Sequence, residues 1–428
     1  MQCQIISIGD ELLIGDTLNT NAGWIGQTLT EAGVEVTYIH TIGDDLTVMK
    51  KVLRQTLSSS DLVITTGGLG PTHDDITKQA VTELFDCKLV VHQPTLDFIK
   101  KRFKKRGIPF SKSNFHQAEV PDCCEVLFNT QGTAPGMWFD RGNCKLAVLP
   151  GIPNEMEFLM KKEVLPRVKK PAEKAKIHRS RYIITAGVGE STLSDEIIGD
   201  LSNLLNENIK VAWLPDVQGE KIRITASGFF QQEVDERLEK AADFIKKRAG
   251  DVFVGEGKEL TLAEALGNLL TKKNCSIATA ESCTGGLVSS MITDIPGSSR
   301  YMKGGIVAYS NEVKINQLGV KPQTLENFGA VSKLTALEMA KGVTQKLGAD
   351  IGISATGIAG PGGGSKEKPV GLVWIGFYSK EQHFALKAQF SSRRSINKAR
   401  TAVVAMEMVR RCLLQINEMP YSLKKHTA

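Results

Sequence analysis

Three times along this chain a short run of apolar, strand-type residues ends abruptly in a glycine-rich loop. Leu62–Thr66 runs into Gly67-Gly68-Leu69-Gly70, Cys275–Ala280 into Glu281-Ser282-Cys283-Thr284-Gly285-Gly286, and Ile351–Ala355 into Gly357–Gly364. Runs of Val, Ile and Leu without polar alternation suit strands covered on both faces, and helical patterns lie between them. The pattern predicts α/β architecture with loops gathered at strand carboxyl ends, where open sheets of this class bind ligands. In the first 165 or so residues the expected elements are strands at Gln4–Ile8, Val34–Ile39 and Leu62–Thr66, with helices at Thr20–Ala32 and Leu46–Leu57. Asn19-Thr20-Asn21 supplies a cap for the first helix and Gly33 stops it.

The 428 residues are enough for about three domains on a prior of roughly 150 each. The expected division is 1–168, a three-layer α/β/α domain with a mostly parallel sheet; 176–252, a small α+β module; and 258–420, a second α/β domain. The module reads as strands at Ser180–Ala186, Lys210–Leu214 and Lys221–Ser227, with helices at Ser191–Leu205 and Glu233–Arg248. In the last domain strands are expected at Gly305–Tyr309, Val370–Phe377 and Phe384–Phe390, with a closing helix at Ile396–Ile416 and a frayed tail from Pro420.

The net charge of +6 has a local origin, because Lys161–Arg181 alone carries nine Lys/Arg against Glu163 and Glu173. Such a run around Pro166 and Pro171 reads as a solvated linker, and nucleic acid is not an expected partner. No apolar run approaches the roughly 18 residues of a membrane span, so no membrane association is expected. The N-terminus shows no secretory pattern. The eight cysteines are scattered without a Cys-x-x-Cys, which favours neither a zinc site nor a disulfide framework and points to reduced thiols in a cytoplasmic protein.

The turn at 280–286 carries the sharpest chemistry. Ser282, Cys283 and Thr284 are three possible nucleophiles at a strand-to-helix turn, and Gly285 and Gly286 allow close approach to the backbone. In isolation the simpler reading is that Ser282 or Thr284 caps the helix. Further along, Tyr309-Ser310-Asn311 ends a strand, Lys314 follows one turn later, and Arg393-Arg394 opens the last helix. Serine, tyrosine, lysine and arginine are sufficient for amide hydrolysis without histidine. Gly357, Gly360 and Gly362 would bind a phosphate or shape an oxyanion pocket. In the first domain Gly67, Gly68, Gly70 and Thr72 form a candidate phosphate loop. Asp74, Asp75 and Asp44 supply hard oxygen ligands beside it, with Asp45, Asp10 and Glu11 near the same edge. Helix capping is the competing role for Asp75.

Together Gly9-Asp10-Glu11-Leu12-Leu13, Asn19-Thr20-Asn21-Ala22, Gly67–Asp75, Ala280–Gly286, Gly305–Asn311, Gly357–Gly364 with Lys368–Gly371, and Phe390–Arg394 resemble the competence/damage-inducible CinA family over nearly the whole chain. The resemblance implies an N-terminal molybdopterin-binding-like domain, a KH-like middle segment and a C-terminal nicotinamide mononucleotide deamidase domain. The deamidase would use Ser282 as nucleophile, Tyr309 and Lys314 in proton transfer and Arg394 as an active-site arginine, without a cofactor. Lys398 stands where the family commonly has a second arginine. The N-terminal domain would be an ADP-ribose pyrophosphatase using a divalent Mg, Mn or Co ion at Asp44, Asp74 and Asp75. A molybdopterin-binding role, or a competence or DNA-repair scaffold, is the alternative. A homodimer acting on nicotinamide mononucleotide and ADP-ribose is expected.

Overall fold

The computed structural model describes residues 1–72, 75–168, 177–391 and 393–427, with Lys112 described by its backbone alone. It divides into two compact units, 1–178 with 227–234, and 179–226 with 235–428.

The first unit is built on six strands in the spatial order Glu35–Ile42, Gln2–Ile8, Leu62–Thr66, Cys144–Leu149, Gly136–Arg141, Glu125–Leu127. The first four run parallel and the last two pair antiparallel at one edge. Alternate residues serve opposite faces. Ile5 and Ile64 pack with Ile25, Leu29 and Leu159 on one side, while Ile6 and Val63 pack with Met49 and Leu53 on the other. Burying both faces is why these strands read as unbroken apolar runs, each side chain contributing about 2 kcal/mol or more. The helix Thr20–Glu31 starts where the Asn19 side chain accepts the Ala22 amide.

Two expectations fail in this unit. Lys161–Val168 is not linker but helix, a π-helical turn at Met160–Val164 continuing into Leu165–Val168. Arg167 ties it down, donating to both oxygens of Glu125 at 2.6 Å. Of the remainder of the expected linker, 169–176 lies outside the described residues and 177–181 belongs to the strand Ile177–Thr185. Nor are all cysteines reduced, because Cys87 and Cys123 form a disulfide. The reason is register. Leu89–Val91 pairs antiparallel with Glu119–Pro121, Leu89 opposite Pro121. Continuing that ladder past Lys88 and Asp122, which exchange hydrogen bonds, brings Cys87 opposite Cys123 with Cα atoms 6.0 Å apart.

The second unit contains most of the middle module and the whole last domain. In the module, Ile209–Asp216 and Gly219–Gly228 form a tight hairpin in which Pro215 pairs with Glu220. The expected helix at Ser191–Leu205 is shorter, a π-helical stretch at Thr192–Ile198. Gly199 breaks it in the left-handed region at φ 63°, and Arg248 donates to the carbonyls of Ile198 and Asp200.

The last domain has six strands in the order Met302–Val307, Ile277–Glu281, Ile351–Gly357, Leu372–Tyr378, His383–Gln389, Lys425–His426. The first three are parallel and the others antiparallel. The tail from Pro420 is therefore not frayed, since Lys425–His426 closes one sheet edge. Helices Leu262–Lys273 and Arg394–Leu413 cover one face and Lys333–Leu347 the other. On Arg394–Leu413, Glu407 is fully buried and accepts from Arg410 at 2.7 Å and Arg411 at 2.8 Å. Arg410 also donates to the carbonyls of Asp251 and Phe253, and Arg411 to those of Ala186, Gly187 and Glu418. Among the described residues no helix is long and apolar enough to cross a membrane.

Candidate active site

The three parallel strands of the last domain deliver Ser282, the Ala308-Tyr309 corner and the Gly357–Gly364 loop to one sheet edge. What frees Ser282 is the residue before it. Glu281 is buried, and its carboxylate accepts the amides of Val288 at 3.0 Å and Ser289 at 2.8 Å, plus the Ser289 hydroxyl. The first amides of the helix Leu287–Thr293 are thus satisfied by Glu281, and its N-cap residue, Gly286, makes no side-chain cap. The capping role open to Ser282 and Thr284 in the sequence is excluded by this arrangement. Gly285 and Gly286, at φ 63° and 94°, hold the left-handed backbone that lets the strand turn back on itself.

Ser282 faces Lys314. The Lys314 Nζ lies 3.1 Å from Ser282 Oγ, 2.8 Å from the Ala308 carbonyl and 3.1 Å from the Tyr309 carbonyl. Lys314 is only 1% exposed and Ser282 8%. Burial lowers the Lys314 pKa, because a charged ammonium loses its hydration there. A neutral amine has two N–H bonds and one lone pair. As an ammonium Lys314 donates to all three oxygens; once it releases a proton, the two carbonyls take its N–H bonds and the lone pair falls to the serine hydroxyl, the arrangement a general base requires.

Tyr309 is 64% exposed, and its hydroxyl accepts from Arg394 Nη2 at 3.3 Å. Arg394 Nη1 donates to the Gly360 carbonyl at 3.0 Å, so one guanidinium links the last helix, the Tyr309 corner and the glycine loop. Of the three loop glycines, Gly357 is required by strand packing: a Cβ there would lie 2.6 Å from Val373 Cγ2, whereas one on Gly362 would meet nothing. Buried Asn397, whose amide donates to the Ala359 carbonyl at 2.9 Å, pins the same loop. The Lys398 ammonium approaches the turn, 3.6 Å from where a Gly285 Cβ would stand. Cys283 is no competitor to Ser282, because burial pushes its thiol up to about 12, outweighing the opposing influence of nearby amides and of Lys314. Thr284 is fully buried and its hydroxyl has no partner among the described residues.

In the first unit, a cavity of about 390 Å³ opens at strand carboxyl ends, lined by Asn21, Asp44, Gly67, Gly68, Gly70 and Asp75 among others. The expected phosphate loop is partly self-satisfied. The Gly67 amide donates to the Leu149 carbonyl. Gly70 donates to Asp75 at 2.7 Å, Thr72 donates to it at 2.8 Å through its amide, and the Thr72 hydroxyl also donates to it. Asp75 is thus the anion around which the loop folds, not a cap for the helix that follows at Thr77–Leu84. Asp44 and Asp10 each accept the other's amide, at 3.0 and 3.1 Å. Asp45 accepts the Val48 amide and caps the helix Leu46–Ser59. Asp74 and His73 lie outside the described residues.

Three family descriptions match successive parts of the chain: "probable molybdopterin binding domain" over 4–170, "damage-inducible protein CinA KH domain" over 180–255 and "CinA C-terminal domain" over 259–413. A CinA-like protein of Dictyoglomus thermophilum is 42% identical over 97% of this chain and 100% of the relative. The chain belongs to the CinA family. CinA-like proteins of Chloroherpeton thalassium (42% identical, over 96% of this chain and 99% of the relative) and Kosmotoga olearia (41%, over 97% and 100%) have comparable similarity. In this CinA-family chain the residues that sequence reasoning missed are Glu281 and Asn397. Only Glu281 left a signal, a carboxylate at the end of an apolar strand, where it must find donors on burial.

Proposed function

We propose that the C-terminal domain is an amidohydrolase that converts nicotinamide mononucleotide to nicotinate mononucleotide and ammonia. The observation that carries this reading is the Lys314 amine, buried, lowered in pKa and 3.1 Å from Ser282 Oγ. Lys314 takes the hydroxyl proton as Ser282 Oγ attacks the carboxamide carbon. The tetrahedral oxyanion is stabilised by turn amides near Gly285, a contribution of about 3 kcal/mol per donor. The same proton passes to the departing nitrogen, ammonia leaves, and water then cleaves the acyl-enzyme with Lys314 again as base. Arg394 and Tyr309 hold the nucleotide, and no metal or cofactor enters this reaction. Ser282→Ala is expected to lower ammonia release by about 10⁴-fold or more without unfolding the protein. Wild-type rates in that variant sink the proposal, as does failure of rapid quenching and mass spectrometry to find acyl-enzyme on Ser282 in the wild type.

A second reading rests on the N-terminal cavity. Asp44 and Asp75 both line it, and carboxylate oxygens accept more than one partner. They suit a divalent ion such as Mg, Mn or Co whose other ligands come from phosphate oxygens. The ion would polarise a pyrophosphate, as in ADP-ribose hydrolysis. Titrating the protein with ADP-ribose plus Mg, and separately with molybdopterin, distinguishes hydrolysis from cofactor binding. The same proposal includes a cytoplasmic homodimer that makes no use of nucleic acid.

A further inference from the structure

Within the second unit, a cavity of about 810 Å³ lies between the middle module and the last domain, well away in sequence from Ser282 and Lys314. Its polar lining is lopsided. Glu190 and Asp216 stand exposed at the rim, and Glu220 lies deeper, 9% exposed. Glu220 is held there by its neighbours. Gly219 turns the hairpin at φ 143°, where any side chain would collide with the Thr185 carbonyl, and the Glu220 carbonyl accepts from Thr185 Oγ1 at 3.0 Å.

The Glu220 carboxyl has no such support. Its Oε2 is sealed from solvent with no hydrogen-bond partner among the described residues. Arg400 lines the same cavity but makes no ion pair with any of the three acids among the described residues. Burial, reinforced by the negative charges of Glu190 and Asp216, pushes the Glu220 carboxyl up. A buried carboxylate costs free energy unless it takes up a proton or a cationic partner arrives to pair with it. A chelated metal ion is disfavoured, because among the described residues the three acids do not gather closely enough to share one. The remaining walls include Phe390 and Tyr421, which suit an apolar body and stack well with cationic groups.

We propose that this cavity is a binding site for a small organic cation, a protonated amine on an apolar or aromatic body, with Glu220 as its anionic anchor. It is independent of the deamidase reading, since its lining includes neither Ser282 nor Lys314.

The test uses the full-length protein and 2-phenylethylamine as probe, with 2-phenylethanol and 3-phenylpropionate as neutral and anionic isosteres, read by calorimetry and saturation-transfer NMR. The amine is expected to bind at least about tenfold more tightly than the alcohol, as a charge-assisted hydrogen bond implies. Glu220→Gln is expected to erase that preference while leaving alcohol binding unchanged. Equal affinity of the wild type for all three probes overturns the proposal, as does an undiminished amine preference in Glu220→Gln. Val217→Trp, at an exposed wall position on the hairpin turn, provides a variant that does not touch the buried carboxyl. It is expected to lose amine binding at an unchanged melting temperature, and persistent tight binding there likewise refutes the site.

Discussion

Replacing Lys314 with Met tests its proposed role as the general base. The substitution keeps an unbranched side chain out to Cε but removes the nitrogen that contacts Ser282 Oγ, the Ala308 carbonyl and the Tyr309 carbonyl. A positioned base contributes about 10²- to 10⁴-fold, so kcat/KM for nicotinamide mononucleotide should fall by that factor, about 2.7–5.4 kcal/mol of transition-state stabilisation. In the wild type, activity should rise with pH as Lys314 loses its proton, with an inflection below the ordinary lysine value of about 10.4 because burial lowers it. In Lys314→Met that rising limb disappears. Stability carries the same sign. Between the lowered folded pKa and the ordinary value, the unfolded chain holds a proton on Lys314 that the folded chain has released, so wild-type stability grows with pH across that window. Met has nothing to titrate, and it leaves two carbonyls without a donor at about 1–3 kcal/mol each. The wild type should therefore gain on the variant as pH climbs. The assay is ammonia release from pH 6 to 10 beside thermal melts in the same buffers. An intact alkaline rise in Lys314→Met would refute the assignment.

Glu281→Gln should weaken the two amide bonds to Val288 and Ser289 and tilt the turn, lowering kcat by about tenfold and stability by about 1–3 kcal/mol; steady-state kinetics and denaturant melts read both. Arg394→Lys cannot reach Gly360 and Tyr309 together, so KM should rise by about tenfold with a smaller change in kcat, and equal losses in both would place Arg394 in the chemical step. Reducing Cys87–Cys123, which closes a loop across a sequence separation of 36, should cost the first unit about 4 kcal/mol on loop-entropy grounds. Hydrogen exchange with and without reductant, resolved to the segment 87–123, measures that loss.

What could be read from the residues follows how local the physics is. Leu62–Thr66 was legible because a strand buried on both faces needs an unbroken apolar run, and Thr20–Glu31 because Asn19 and Gly33 mark its ends. Ser282, Lys314, Tyr309 and Arg394 were legible as chemistry types, and the fold brings them to one edge. The tail strand Lys425–His426 was not legible, since a two-residue pairing with Ala385 and Leu386 leaves no period to detect. The Cys87–Cys123 bond was invisible because spacing does not encode cross-strand register. Lys161–Val168 was misread because a high charge density suggests solvent, whereas Arg167 spends its charge on Glu125 and rests over Trp138. The hydrogen bonds by which Asp75 folds its own loop, from Gly70 and Thr72, were not legible, because residue type does not reveal local loop geometry.

One carboxylate on the closing helix answers two guanidinium groups, and the surplus positive charge is spread over peptide oxygens from both ends of the middle segment. Sliding that segment outward would strand a cation in a dry interior, so it cannot behave as a bead on a flexible tether. The middle segment is here wired as a buttress. Loss of any one strut should be felt through its neighbours as a shared, cooperative melting of the segment and the last domain.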